Sequence, residues 1–179
     1  MLLQIQLPTH DDAIAFHREH WSAVLEDTRF ADVPEKIETN GWGQIVMSPP
    51  PDSEHCRIRF KIAKQLDRIL GGEAFTQCPI LTADSVRAID AAWHSSKRFQ
   101  AVRGQRAFET APEICVEVVS PCNTAAEMTV KRQLYFDAGA SECWTCDMTG
   151  QMTYYYHNSP DEPESQSILC PTFPNPLLD

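Results

Sequence analysis

Two apolar runs in the middle of the chain are each interrupted by a single acidic residue. Residues 86–93 read VRAIDAAW and contain Asp90, and residues 114–120 read ICVEVVS and contain Glu117. Such runs are typical of buried strands, where an acid is seldom found without a partner. Two acids on neighbouring strands repel each other unless a cation lies between them, and carboxylates suit Mg²⁺ or Mn²⁺. The alternative is a partly exposed strand face on which each acid pairs with Arg or Lys.

Capping signals place two helices beside these runs. One begins at Asp52 or Ser53, carries an apolar stripe at helical spacing and ends at a glycine pair. The other begins at Thr124 and ends at Gly139, and Thr124 forms a capping-box pattern with Glu127. Both helices are predicted to flank a sheet.

Further elements are predicted along the rest of the chain. An amphipathic helix follows Asp11 or Asp12, with an apolar stripe that runs to Leu25. The segment 95–111 is polar and basic and is predicted to be irregular. Further extended segments are expected at 44–48, 74–81, 142–147 and 151–156. The pattern indicates an α/β or α+β domain with a mixed sheet flanked by helices.

Length and composition limit the chain to one globular domain. It has 179 residues, of which 42% are hydrophobic and 22% charged, enough for one sizeable core but not two. We predict a single domain over residues 1–157, followed by a loosely ordered tail over 158–179 that is rich in proline and acids.

We expect a cytoplasmic protein. No apolar stretch is long enough to span a membrane, and the N-terminus lacks the pattern of a signal peptide. The seven cysteines are an odd number and are scattered, which favours reduced thiols over a disulfide framework.

The charge balance argues against a dedicated, tight DNA-binding protein. A net charge of -10 repels a phosphate backbone on average. Two local basic runs oppose this trend, one over residues 57–68 and one over 97–106. They are either solvated faces or contacts to phosphate.

Several motifs in the correct order resemble the Uma-two family of restriction endonucleases, a branch of the PD-(D/E)XK nuclease superfamily that is common in bacteria. The resemblance covers residues 45–150, about three fifths of the chain. It implies a restriction-endonuclease-like fold, a Mg²⁺- or Mn²⁺-dependent nuclease activity on DNA and a homodimer. The motifs are IVMSPPP followed by His55, VRAIDAAW, APEICVEVVSP and AEMTVKRQLYFDAGASECW.

The resemblance assigns roles to four positions. Asp90 and Glu117 correspond to the two metal-binding acids, and the carbonyl of Val118 is a possible further ligand. The superfamily's lysine is absent two residues after Glu117, and Lys131 on the following helix takes over its role. Glu127 precedes Lys131 by four residues and shares its helix face, so it is a possible accessory residue or a simple capping and surface-pairing residue.

Other accessory residues are expected with structural alternatives. His55 could approach the metal or cap its helix, and Glu54 and Glu38 could be outer acidic ligands. Gln44 stands where family members often carry an acid, and this is a departure from the family pattern.

A pair of cysteines suggests a different class of protein. Cys143 and Cys146 form C-x-x-C, which could bind zinc or undergo redox chemistry. However, no second pair exists, and in a strand these two side chains point to opposite faces. The favoured hypothesis is a metal-dependent phosphodiesterase, and the alternative is a catalytically inactive binding or assembly module with the same fold.

Overall fold

A computed structural model describes residues 10–30, 33, 36–121 and 123–178. Helices flank a six-stranded sheet, and a two-stranded hairpin packs beside it. The helices are α1 His10–Glu26, α2 Ser53–Leu70, α3 Ser96–Val102 and α4 Ala125–Asp137. The strands are β1 Lys36–Thr39, β2 Ile45–Ser48, β3 Glu73–Leu81, β4 Val86–His94, β5 Ile114–Val119, β6 Glu142–Asp147, β7 Met152–Tyr156 and β8 Ser159–Glu164.

The main sheet is mixed, in agreement with the predicted fold class. Its strand order is β3-β4-β5-β6-β7-β8, and only the β5–β6 pair is parallel. The β5–α4–β6 unit makes this parallel connection, so α4 lies over the strand that carries Glu117.

Two apolar layers hold the helices on the sheet. On one face, Ile62 and Leu66 of α2 pack with Trp93, Val116 and Trp144. On the other face, a second cluster centres on Tyr135 and Phe136 of α4 and includes Cys115 and Cys143. Strand β5 contributes to both layers through alternate residues, because neighbouring side chains of a strand point to opposite faces.

The predicted caps form at both main helices. Asp52 accepts the backbone N–H of His55 at 2.8 Å and begins α2, and Gly71 ends it. Thr124 accepts the N–H of Glu127 at 3.1 Å and begins α4. These side chains satisfy backbone donors that the first helical turn leaves without partners.

Three expectations differ from the structure. Residues 95–111 are not irregular throughout, because Ser95 accepts the N–H of Arg98 and begins α3. Strand β1 was not predicted. Leu25 was expected on the buried face of α1 but is 51% exposed, whereas Trp21 and Val24 are buried.

The expected loose tail is instead part of the domain. Strand β8 pairs with β7, and Phe173 and Leu177 enter the core. The buried carboxylate of Glu142 accepts the backbone N–H groups of Ile168 and Leu169 at 2.9 and 2.6 Å. These bonds tie the segment after β8 to the sheet, which is the physical reason for its order.

No helix in the described part of the chain is long and apolar enough to cross a bilayer.

Candidate active site

Asp90 and Glu117 meet at the position where β4 and β5 stop pairing. Their strands pair from Trp93↔Ile114 to Ala91↔Val116, and the next step of this register places Asp90 opposite Glu117. There the backbone N–H of Val118 donates to Oδ2 of Asp90 at 3.0 Å. A cavity of about 500 Å³ opens at this position, and both acids line it.

Glu117 is held by two residues of α4. The ammonium of Lys131 donates to its Oε2 at 3.0 Å, and the hydroxyl of Tyr135 donates to its Oε1 at 2.6 Å. Lys131 and Tyr135 are four residues apart and therefore share one helix face. Burial raises the pKa of Glu117, and the charge of Asp90 adds to this effect against the opposing pull of Lys131.

Asp90 has a different environment. His55 Nε2 lies 3.4 Å from its Oδ2 and 3.3 Å from the carbonyl oxygen of Val118. Burial alone would raise the pKa of Asp90, but His55 and Lys36 lower it below its usual value. In turn, the carboxylate of Asp90 raises the pKa of His55. The two acids of the site therefore differ, since Asp90 favours the ionised form more strongly than Glu117.

The β1–β2 hairpin completes the wall of the cavity with Lys36 and Glu38. Lys36 Nζ lies 3.4 Å from Oε1 of Glu38 and 3.7 Å from Oδ1 of Asp90. Oε1 of Glu38 also accepts the N–H of Ala88 at 2.9 Å, which fixes the hairpin against β4. Burial opposes the charge of Lys36, but Glu117, Asp90 and Glu38 together raise its pKa.

Three of the four expected accessory residues line the cavity, and one does not. His55, Glu38 and Glu127 line the cavity. Glu127 Oε1 lies 3.7 Å from Lys131 Nζ, at the edge of the site. Glu54 does not line the cavity but pairs with Arg57 at the surface, so its expected place near the metal is wrong.

Gln44 does not line the cavity either. Its side chain accepts from Asn40 Nδ2 at 2.8 Å within the hairpin turn. The departure from the family pattern at Gln44 therefore leaves the described cavity unchanged.

The donor set fits a hard divalent cation, although it is incomplete. Within the described residues, no three His, Cys, Asp or Glu side chains are grouped as a full metal site. Mg²⁺, however, is commonly bound by one or two carboxylates and keeps several waters. Asp90, Glu117 and the carbonyl of Val118 match that pattern, and the buried, repelling acids would gain from a cation.

The C-x-x-C pair does not form a metal or redox site. Cys143 packs in the layer beneath α4, whereas Cys146 packs in the layer beneath α2. The sheet therefore separates the two thiols, as alternation along β6 predicts. The described cysteines all have free thiols; Cys122 lies outside the described residues.

Three residues of the site were not anticipated from the sequence. They are Lys36, Tyr135 and Gln77. Lys36 forms a charge pair with Asp90, Tyr135 donates a hydrogen bond to Glu117, and Gln77 lines the cavity. Tyr135 had a signal, because it follows Lys131 by one helical turn. Lys36 had only a weak one, its i, i+2 spacing from Glu38 along a short strand. Gln77 had none.

The fold and the cavity define a restriction-endonuclease-like domain of mixed sheet and flanking helices. The family model described as "Uma2: Putative restriction endonuclease" matches residues 30–176. The chain belongs to this family. Its fold is similar to that in the crystal structure of "a putative nuclease belonging to DUF820 from Anabaena variabilis ATCC 29413". The TM-score is 0.60 at 19% identity, over 75% of this chain and 80% of the other. Among curated proteins, none matches this sequence.

Proposed function

We propose that the protein is a divalent-metal-dependent endonuclease of the PD-(D/E)XK type that cleaves DNA phosphodiesters. In this proposal Asp90 and Glu117 bind Mg²⁺ or Mn²⁺, and the carbonyl of Val118 is a further ligand. The proposal rests chiefly on one observation, the 3.0 Å contact of Lys131 with Glu117. This contact supports the proposal because a lysine of the next helix lies beside the second acid, although no lysine stands two residues after Glu117.

Each side chain has a role that follows from its contacts. A bound divalent cation would lower the pKa of a coordinated water and offset charge on the scissile phosphate. Lys131 is held beside Glu117 and can orient a water or stabilise negative charge that develops on the phosphate. His55 contacts both Asp90 and the Val118 carbonyl, so it positions two of the proposed ligands.

The proposed DNA binding is weak and depends on metal. The chain carries a net charge of -10, and few basic side chains surround the cavity. Of the basic run 57–68, Arg59 lines the cavity. In the run 97–106, Arg98 binds the carbonyls of Ala111 and Gly139, and Arg106 pairs with Glu26. Both arginines are thus engaged by groups of the protein itself, and the net negative charge opposes binding of a phosphate backbone.

One observation favours the second candidate function, an inactive nuclease-fold module. All four carboxylate oxygens of Asp90 and Glu117 already have a donor or a cation nearby, namely Val118 N and His55, Lys36, Lys131 and Tyr135. A protein that only needs the fold could retain such a neutralised centre.

A cleavage assay distinguishes these two functions. Supercoiled plasmid is incubated at low salt with the wild type in Mn²⁺, in Mg²⁺ and in EDTA. Asp90→Asn is the inactive variant, and Lys97→Met is the matched control, because it changes an exposed lysine of α3 that does not line the cavity. The nuclease proposal requires nicking by the wild type and by Lys97→Met in metal, and none by Asp90→Asn or in EDTA. Metal binding without nicking of any DNA would favour the inactive module.

The homodimer stays a prediction, which sedimentation equilibrium would test.

A further inference from the structure

The acidic centre contains its own cations. Its three acids are buried: Glu38 and Asp90 are 5% exposed and Glu117 is 6% exposed. Lys131 is 9% exposed. The side chain of Lys36 is 14% exposed. Buried charges of one sign are stable only when opposite charges lie nearby, and here two lysines face three acids.

The two lysines are bound differently. Lys131 donates a hydrogen bond to Glu117 at 3.0 Å, and α4 holds it in place. Lys36 lies 3.4 Å from Glu38 and 3.7 Å from Asp90, so its contacts are longer and are charge pairs rather than short hydrogen bonds. It projects from the first residue of the four-residue strand β1. Lys36 is therefore the more easily displaced of the two cations.

We propose that Lys36 is the resident counter-ion of this centre and competes with divalent metal for Asp90. The inference rests on the proposed function, because it concerns the same metal site. Lys36 remains beside the acids when a divalent cation binds to Asp90 and Glu117. The cation and the Lys36 ammonium then repel each other at short range. Metal binding to the free protein is then weakened by Lys36.

The competition couples metal binding to substrate binding. A DNA phosphate brings negative charge into the cavity and offsets the extra positive charge of metal and lysine together. Metal and DNA should therefore each raise the affinity of the protein for the other, and such coupling is reciprocal. The free protein would hold little metal, and the complete site would assemble on substrate.

Isothermal titration with Mn²⁺ tests the proposal on full-length protein without DNA. Lys36→Met removes the charge and keeps an unbranched side chain, whereas Lys36→Arg keeps the charge. Lys97→Met removes an equal charge at an exposed site. Lys36→Met should bind Mn²⁺ at least about tenfold more tightly than the wild type, as expected for the loss of one like charge near the site. Lys36→Arg and Lys97→Met should bind as the wild type does.

Thermal melts give a second readout that does not depend on activity. Without metal, Lys36→Met should melt below the wild type, because the acids lose a counter-ion; with Mn²⁺, its gain in Tm should exceed that of the wild type. A phosphorothioate duplex that resists cleavage should tighten Mn²⁺ binding in the wild type and do so less in Lys36→Met.

The outcomes separate this inference from the proposed function. Equal Mn²⁺ affinity in the wild type and in Lys36→Met overturns the role of Lys36 and leaves the metal site intact. If neither the wild type nor any variant binds Mn²⁺, with or without the duplex, the role of Lys36 and the proposed metal-dependent function are both overturned. If Lys36→Met does not fold, Lys36→Gln replaces it, and the same comparison of affinities decides.

Discussion

The ammonium of Lys131 lies 3.0 Å from Oε2 of Glu117, and both groups are buried. The two partners do not gain equally from this contact. Burial raises the pKa of Glu117 despite the lysine, so ionisation of Glu117 is less favourable than ionisation of a free glutamate. Burial would lower the pKa of Lys131, but Glu117 and Glu38 raise it well above its usual value, so its charged form is favoured. Lys131 faces several acids, whereas Glu117 bears the full cost of burial and a like charge on Asp90.

Glu117→Gln should therefore leave the metal-free fold intact. The amide keeps the shape of the side chain and removes a charge that burial disfavours, while Lys131 retains Glu38 and Asp90 as partners. We expect a free energy of unfolding in EDTA within about 1 kcal/mol of the wild type or above it. The same variant should lose Mn²⁺ binding and DNA cleavage. Urea unfolding in EDTA and in Mn²⁺ measures both effects.

A loss of several kcal/mol in EDTA would show that Glu117 is chiefly the structural partner of Lys131. If, in addition, Mn²⁺ did not change the free energy of unfolding of the wild type, the inactive module would be favoured over the nuclease.

Lys131→Met should have the opposite effect on stability. It removes the cation from a buried acid, a change that costs about 3 to 5 kcal/mol for fully buried pairs. We expect less, on the order of 2 kcal/mol near neutral pH, because Glu117 can bind a proton instead. The loss should shrink at acidic pH, where that proton is available. Urea unfolding at two pH values measures it.

A double variant is the matched control for this prediction. Combining Lys131→Met with Glu117→Gln replaces both charges and should recover much of the stability, since neutral replacements of a buried pair are often well tolerated. A double variant no more stable than Lys131→Met alone would mean that the loss comes from packing rather than from charge.

Elements with strong local signals could be predicted from the sequence. Strands β5 and β6 have the predicted bounds because apolar runs end at polar or turn residues. Helix α2 has the predicted cap and end because Asp52 and Gly71 satisfy its terminal groups. In contrast, β8 contains two prolines and three acids and has no strand pattern. It forms at the sheet edge, where proline is tolerated, and contacts distant in sequence hold it there.

The residues of the candidate site also differ in how well the sequence predicts them. Asp90 and Glu117 could be predicted because an acid inside an apolar run is unusual. Lys131 came from the family resemblance rather than from spacing. For Lys36 the only signal was its spacing from Glu38, because its partners Asp90 and Glu117 lie more than fifty residues away in sequence. The packing of the hairpin on β4 brings them together.

The stability of the metal-free protein should depend on His55 near neutral pH. Asp90 raises the pKa of His55 in the folded state. A raised histidine pKa contributes stability that is fully present below the unfolded value of 6.5 and is lost as the pH rises through the folded value. Unfolding free energies measured in EDTA between about pH 5.5 and pH 8.5 should fall with rising pH in the wild type.

His55→Gln should flatten that pH dependence, because glutamine can keep a hydrogen bond to Asp90 but cannot gain a charge. His157→Gln is the control, since His157 packs on Phe136 away from the cavity. Parallel curves for the wild type and His55→Gln would show that other groups cause the pH dependence.

At Gln77 on the cavity wall, glycine should give a more stable protein than alanine. Its φ is +54°, the left-handed region, and among the described residues it alone has positive φ without being glycine. It lies in the middle of β3, one step from the pairs Thr76↔Ala91 and Cys78↔Ile89, and so stands opposite Asp90. Left-handed backbone costs a residue with a side chain about 1 to 2 kcal/mol, which glycine avoids.

Gln77→Ala is the control, because it removes the amide but keeps the Cβ and hence the strain. We expect Gln77→Gly to be more stable than Gln77→Ala by about 1 kcal/mol, after allowing for the larger entropy of unfolded glycine. Urea unfolding of the two variants measures this difference, and a glycine variant less stable than the alanine variant would refute the strain at Gln77. Because strained residues concentrate at functional sites, both variants should also cleave DNA more slowly than the wild type, by equal factors if the amide of Gln77 is what contacts the substrate.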